Sequence, residues 1–176
     1  MAEADPKIGK WNRHTADSDF AAWVYDQAAA LKEGRFSDLD IDELADEVES
    51  LAKRDFKKLR AAIRIILLHM LKWDKQPEQR SNSWRRSINA GRKRVYAELN
   101  SSPSFRPKLP EAVAFVYPFA REEAAEETGV FLQLFPAECP YSWDEIMFRA
   151  HEMAPDRVPR DNGTDFQGDY DLADDD

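Results

Sequence analysis

Between Asp40 and Trp73 the chain carries no glycine and no proline. Apolar residues recur there at Ile41, Leu44, Val48, Leu51, Phe56, Leu59, Ile63, Ile66, Leu67 and Met70. A stripe of that period and length is met by one long helix, and by little else. Asp40 is suited to cap its start, and Asp42 and Glu43 place negative charge in the first turn, where the helix dipole favours it. From Ile65 to Leu71 the residues are apolar on nearly every side, so this end of the helix belongs inside a bundle. Pro77 lacks a backbone donor and restricts Gln76, so the helix is expected to span about 40–74.

Shorter helices are expected around it. In "DSDFAAWVYDQAAALKEGRF", Asp17 or Ser18 can cap a helix whose inner face is Phe20, Trp23, Val24, Ala28 and Leu31, with Gly34 as the left-handed stop. Ser81, Asn82 or Ser83 can cap a helix over about 83–101, with Trp84, Ile88, Gly91, Val95 and Leu99 inward. The short connection at Pro77 makes it an antiparallel neighbour of the long helix. A further helix is expected over about 110–128, kinked at Pro118 and ended by Gly129. A last short one starts at a Ser142–Glu145 capping box. No strand alternation and no repeat is visible. The expected fold is all-α, a four-to-five-helix bundle forming one domain over 16–155. A flexible tail at 1–15 and an acidic, disordered tail at 156–176 are expected to flank it.

A chain of 176 residues can bury a core without a metal or disulfide staple, and its single cysteine, Cys139, permits no internal disulfide. The N-terminal residues lack the apolar stretch of a secretory signal, and "AIRIILLHML" falls well short of a membrane span. A cytoplasmic protein with no membrane contact is the expectation. The net charge of −9 is unevenly placed. Residues 53–94 hold 14 basic and 3 acidic groups, whereas residues 1–52 hold 5 and 13 and residues 156–176 hold 2 and 8. A basic middle between acidic flanks points to an anionic partner or to internal pairing, and Lys72, Lys75 and Arg80 at the Pro77 corner are expected to begin its surface band.

Five segments together resemble a bacterial family known only as domain of unknown function 29: "DFAAWVYDQAAALKEGRFSDLDIDELADEVESL" (19–51), "LLHMLKWDKQPEQRSNSWRRSI" (67–88), "SPSFRPKL" (102–109), "AREEAAEETG" (120–129) and "FPAECPYSWDEI" (135–146). The resemblance implies a compact helical bundle and supplies no activity, cofactor or catalytic residue. Two positions depart from the family's pattern. Ala52 replaces an expected glycine, favouring an unbroken long helix, and Lys75 replaces a common aromatic.

Candidate chemistry is sparse. His69, inside the long helix, is a candidate general base or, on the plainer reading, an imidazole held by a backbone carbonyl. His14 and His151 lie towards the chain ends. No His-x-x-x-His, Glu-x-x-His or paired-cysteine spacing exists, so neither a metal nor another cofactor is expected, and Asp40, Glu43, Glu47, Glu126 and Glu127 read as a solvated or salt-bridged set. Gln27, Glu47, Arg80 and Trp84 with His69 form either a polar network or the lining of a small-molecule pocket walled by tryptophans. Cys139, Ser83 and Ser87 lack a neighbouring base or an elbow sequence. Arg60, Arg64, Arg92 and Arg94 form a candidate patch for phosphates. The acidic tail is a candidate competitor for that patch. An interaction module for a protein or nucleic-acid partner is the first reading, and an enzyme or small-molecule-binding protein around His69 the second.

Overall fold

A computed structural model describes residues 15–153. The tails expected at 1–15 and 156–176 lie outside the described residues, apart from Thr15, and so does the competition expected of the acidic tail. The fold is all-α: α1 (Phe20–Lys32), α2 (Ile41–Lys75), α3 (Asn82–Ser101), α4 (Leu109–Thr128) and α5 (Trp143–Phe148), joined by short 3-10 turns, with no strand among the described residues. The chain divides into two compact units after Phe56, and α2 begins in the first and ends in the second.

In the first unit, α1 is capped by Asp19, whose side chain accepts from the Ala22 N–H at 3.0 Å. Asp17 and Ser18, the expected caps, do not take that role. Ser18 is engaged one step earlier, closing a turn with Thr15 through its hydroxyl and backbone, the local alternative that serine offers a backbone outside a helix. Gly34 ends the element at φ 72°, a left-handed conformation that a side chain would strain. Among the described residues of this unit, Trp23, Gln27 and Ala30 are the buried ones, so the interior they form is thin.

The second unit holds the core. Leu59, Ile63, Ile66, Leu67, Met70 and Leu71 of α2 are sealed from solvent, and Ile88, Val95 and Leu99 of α3, Val116, Tyr117 and Ala120 of α4, Phe135 and Ile146 are buried as well. Leu68 and Trp73 are buried as well, so the all-round apolar end of α2 is enclosed as its composition requires. After the corner at Pro77, Ser81 caps α3 by accepting from the Trp84 N–H. Trp84 itself, expected inward, is only half-buried. Ser142 and Glu145 form the capping box of α5, and α4 continues through Pro118 to a left-handed Gly129. The segment after α4 is drawn back by side-chain donors to carbonyls: Tyr117 Oη to Pro136 at 2.7 Å, and Arg121 to Leu132 and Phe135.

Gly91 sets the closeness of α2 and α3. A Cβ there would meet Ile66 Cγ1 at 2.6 Å and the Ala62 carbonyl oxygen at 3.2 Å, and both neighbours belong to the sealed helix. Alanine is the better helix former by about 1 kcal/mol, but overpacking a rigid β-branched neighbour costs about 1–3 kcal/mol. Gly91→Ala is therefore expected to lower stability by about 1–2 kcal/mol in denaturant unfolding. A gain would contradict this close approach.

Candidate functional site

The residues singled out from sequence are each engaged within their own unit. In the first unit, Gln27 is buried and its Oε1 accepts from the Asp40 N–H at 2.8 Å, fastening α1 to the start of α2. Glu47 takes Arg54, two turns further along α2, at 2.7 Å. In the second unit, His69 donates from Nδ1 to the Ile65 carbonyl at 2.9 Å, one helical turn back, which fixes its tautomer. Burial lowers the pKa of His69, with the Ile65 carbonyl opposing that shift, so the ring is neutral and anchored. Arg80 donates from Nε to the Trp73 carbonyl and lays its guanidinium 5.2 Å from that indole's centroid. The corner at Pro77 brings these groups to the end of α2, where Gln76 also reaches the Thr128 carbonyl.

The basic middle is largely paired. Arg64 meets Glu123 of α4 at 2.5 Å, and Lys72 meets Glu127 one turn on. Lys72, expected to begin a surface band, is buried, with its ammonium 4.8 Å above the Trp84 ring. Arg60 lies 4.2 Å over Phe115. Arg92 is not a phosphate-facing group: it donates to the carbonyls of Glu145, Ile146 and Arg149, satisfying the open end of α5. Arg94 is exposed. Of the four arginines expected to form an anion footprint, Arg60, Arg64 and Arg92 thus hold contacts within the protein.

One cluster has no counterpart in the sequence reading. Asp74, near the end of α2, receives both guanidinium nitrogens of Arg149, at 2.9 and 2.5 Å, and the Tyr141 hydroxyl at 2.8 Å. Burial pushes the Asp74 carboxyl up, but the bonds from Arg149 and Tyr141 outweigh it and hold the carboxyl below its usual range. Burial and the Asp74 charge push the Tyr141 phenol far up, and burial pushes the Cys139 thiol up, so neither is an activated nucleophile near neutrality. His151 packs edge-on against Trp73 at 5.2 Å and is only 6% exposed. Neither of its ring nitrogens meets a hydrogen-bond partner. Burial, reinforced by Arg92 and Arg149, lowers its pKa to about 4, against the nearby Arg149 carbonyl and Asp74. Among the described residues no group of three His, Cys, Asp or Glu side chains is placed to hold a metal. Chemically this cluster is a lock: it ties the last helix to the end of α2.

Two expectations follow. Lys72 is about 10% exposed at its side chain and Glu127 about 43%, so the partners are unequal. Glu127→Ala strands a buried ammonium and should cost about 1–3 kcal/mol in denaturant unfolding, whereas Lys72→Met leaves a carboxylate that water can reach and should cost less. Equal losses would contradict this asymmetry. His151 has a folded pKa below its ordinary 6.5, so as pH falls the unfolded chain takes the proton first. Its contribution is present above pH 6.5 and is lost as pH falls towards 4, by up to about 3 kcal/mol. His151→Phe should flatten that part of the pH–stability curve, and an unchanged slope would contradict a neutral, buried ring.

Among the described residues no helix is long and apolar enough to cross a membrane. No curated protein and no solved structure matches the chain. A family model described as Domain of unknown function DUF29 matches residues 16–151, and on that match, which covers most of its length, the chain belongs to the DUF29 family.

Proposed function

We propose that this protein is an interaction module that binds a protein partner through the first half of α2, in the cytoplasm of a bacterium. The supporting observation is the apolar stripe left in water there: Ile41, Val48 and Leu51 are 60%, 59% and 52% exposed, on a helix whose second half is sealed. Phe20, Leu31 and Phe36 of the same unit are exposed too. Apolar area of that extent on a unit with so thin an interior marks a binding surface. The catalytic alternative, an enzyme or small-molecule site around His69, loses support because His69, Gln27, Glu47 and Arg80 hold structural bonds and Trp84 carries the Lys72 ammonium. The cytoplasmic setting is supported by a lone cysteine held as a thiol.

A nucleic-acid reading keeps one favourable observation. The outer face of α3 exposes Arg85, Arg86, Asn89, Lys93 and Tyr96, with no acidic side chain among them. If that face tracks phosphates, Arg86→Glu should weaken binding to duplex DNA or RNA at all sequences and reduce the salt slope by about 1.

The partner reading is tested by a photo-crosslinking residue placed at Val48 in living cells, beside a control at exposed Glu111 on α4. A protein adduct formed at Val48 and not at Glu111 is expected. No adduct at Val48 would overturn the reading.

A further inference from the structure

We infer that the outer face of α3 is a docking site for the acidic residues 161–176 of the same chain, which cover it against external polyanions. This face lies on a different helix from the α2 stripe, and its occupant does not depend on what that stripe binds.

From Asn82 to Ala97, α3 carries no acidic side chain. Its exposed residues Arg85, Arg86, Asn89, Lys93 and Tyr96 fall within a sector of about 100° on the helix. Arg85, Arg86 and Lys93 form no ion pair with a described carboxylate. By contrast, Lys53 holds Glu49, Arg54 holds Glu47, Arg64 holds Glu123 and Lys72 holds Glu127. Three cations gathered in one sector, with no acid of their own helix beside them, concentrate positive potential and favour an occupant carrying several negative charges. Tyr96 adds an exposed ring to the same sector.

Charge and reach together select the occupant. Residues 161–176 contain seven aspartates and no base, with Phe166 and Tyr170 among them. Arg92 borders the basic sector, two turns after Arg85 and one turn before Tyr96, and its Nη2 donates to the Arg149 carbonyl at 2.9 Å. His151 then packs on Trp73, and the described residues end at Met153. The chain therefore leaves the second unit beside α3. Eight residues separate Met153 from Asp161, an extended reach of about 26 Å, against about 30 Å for the whole of α3. Asp161, Asp165 and Asp169 recur four apart, about 13 Å in an extended chain, close to the roughly 12 Å that separates Arg85 from Lys93 along the helix. So short a tether holds these aspartates near the face at an effective concentration on the order of millimolar, which favours the chain's own segment over a free acidic peptide or a second copy. Each exposed ion pair is weak, so the contact needs several at once and fades with salt. A polyanion approaching α3 must first displace it.

Zero-length carbodiimide coupling of the full chain at micromolar concentration, with the products mapped by mass spectrometry, tests this. The expected product joins Lys93 to an aspartate of 161–176 within one chain. It should form several-fold more than the corresponding product at exposed Lys57, and about 1 M salt should remove it. The double variant Arg85→Glu, Arg86→Glu leaves Lys93 in place and should cut the Lys93 product several-fold, with the helical circular dichroism unaltered. Equal coupling of the segment to Lys57 and Lys93, a Lys93 product indifferent to salt or to the double variant, a product with the mass of two chains, or no product at all would each overturn the inference.

Discussion

The second half of α2 carries the sealed core of its unit, and the polar groups that border that core are met by the protein. Arg64 and Lys72 are met by Glu123 and Glu127, one turn apart on α4. His69 is met by the carbonyl a turn behind it, and Asp74 by Arg149 and Tyr141 from the far end of the chain. Left unpaired, the buried Lys72 ammonium would be penalised by several kcal/mol. The positions of α4 and α5 follow from that constraint as much as from apolar contact, because only there do their carboxylates and guanidinium reach the helix.

The same constraint gives residues that look catalytic by type a structural bond. His69 has its Nδ1 proton fixed on a carbonyl, and Asp74 is held ionised by a bidentate arginine and a phenol. Arg92 closes the carbonyl end of α5. What is left available lies on the surface: an apolar seam on the first half of α2 and a basic, asparagine-bearing face on α3. One helix thus carries two different environments, a sealed apolar face from Leu59 to Trp73 and exposed apolar side chains at Ile41, Val48 and Leu51.

Much of the fold was legible because helix formation is local. The apolar period over 41–70, the stop at Pro77, the left-handed glycines at 34 and 129 and the Ser142–Glu145 box each depend on residues within a turn or two. The α1 cap was misplaced by one or two residues because three cap-competent side chains, Asp17, Ser18 and Asp19, stand in a row, and only the Thr15–Ser18 turn chooses among them. The polar cluster was not legible at all. Asp74 and Arg149 are 75 residues apart, and nothing in periodicity announces a pair at that separation. Lys72 was read as a surface cation because its neighbours are basic, but its angular position on α2 lies on the sealed side, towards Trp84 and Glu127. The exposed stripe misled in the opposite sense, since Ile41, Val48 and Leu51 share the period of the buried residues that follow and pattern alone cannot say which part of a long stripe is covered.

Native-state hydrogen exchange along α2 of the dilute chain tests the account most directly. Amides from Leu59 to Trp73 should exchange only through global unfolding, whereas those from Leu44 to Leu51 should exchange through local opening at much lower free energy, with a break between the two halves. Equal protection along the whole helix at high dilution would contradict the claim that its first half waits for a partner while its second half is sealed.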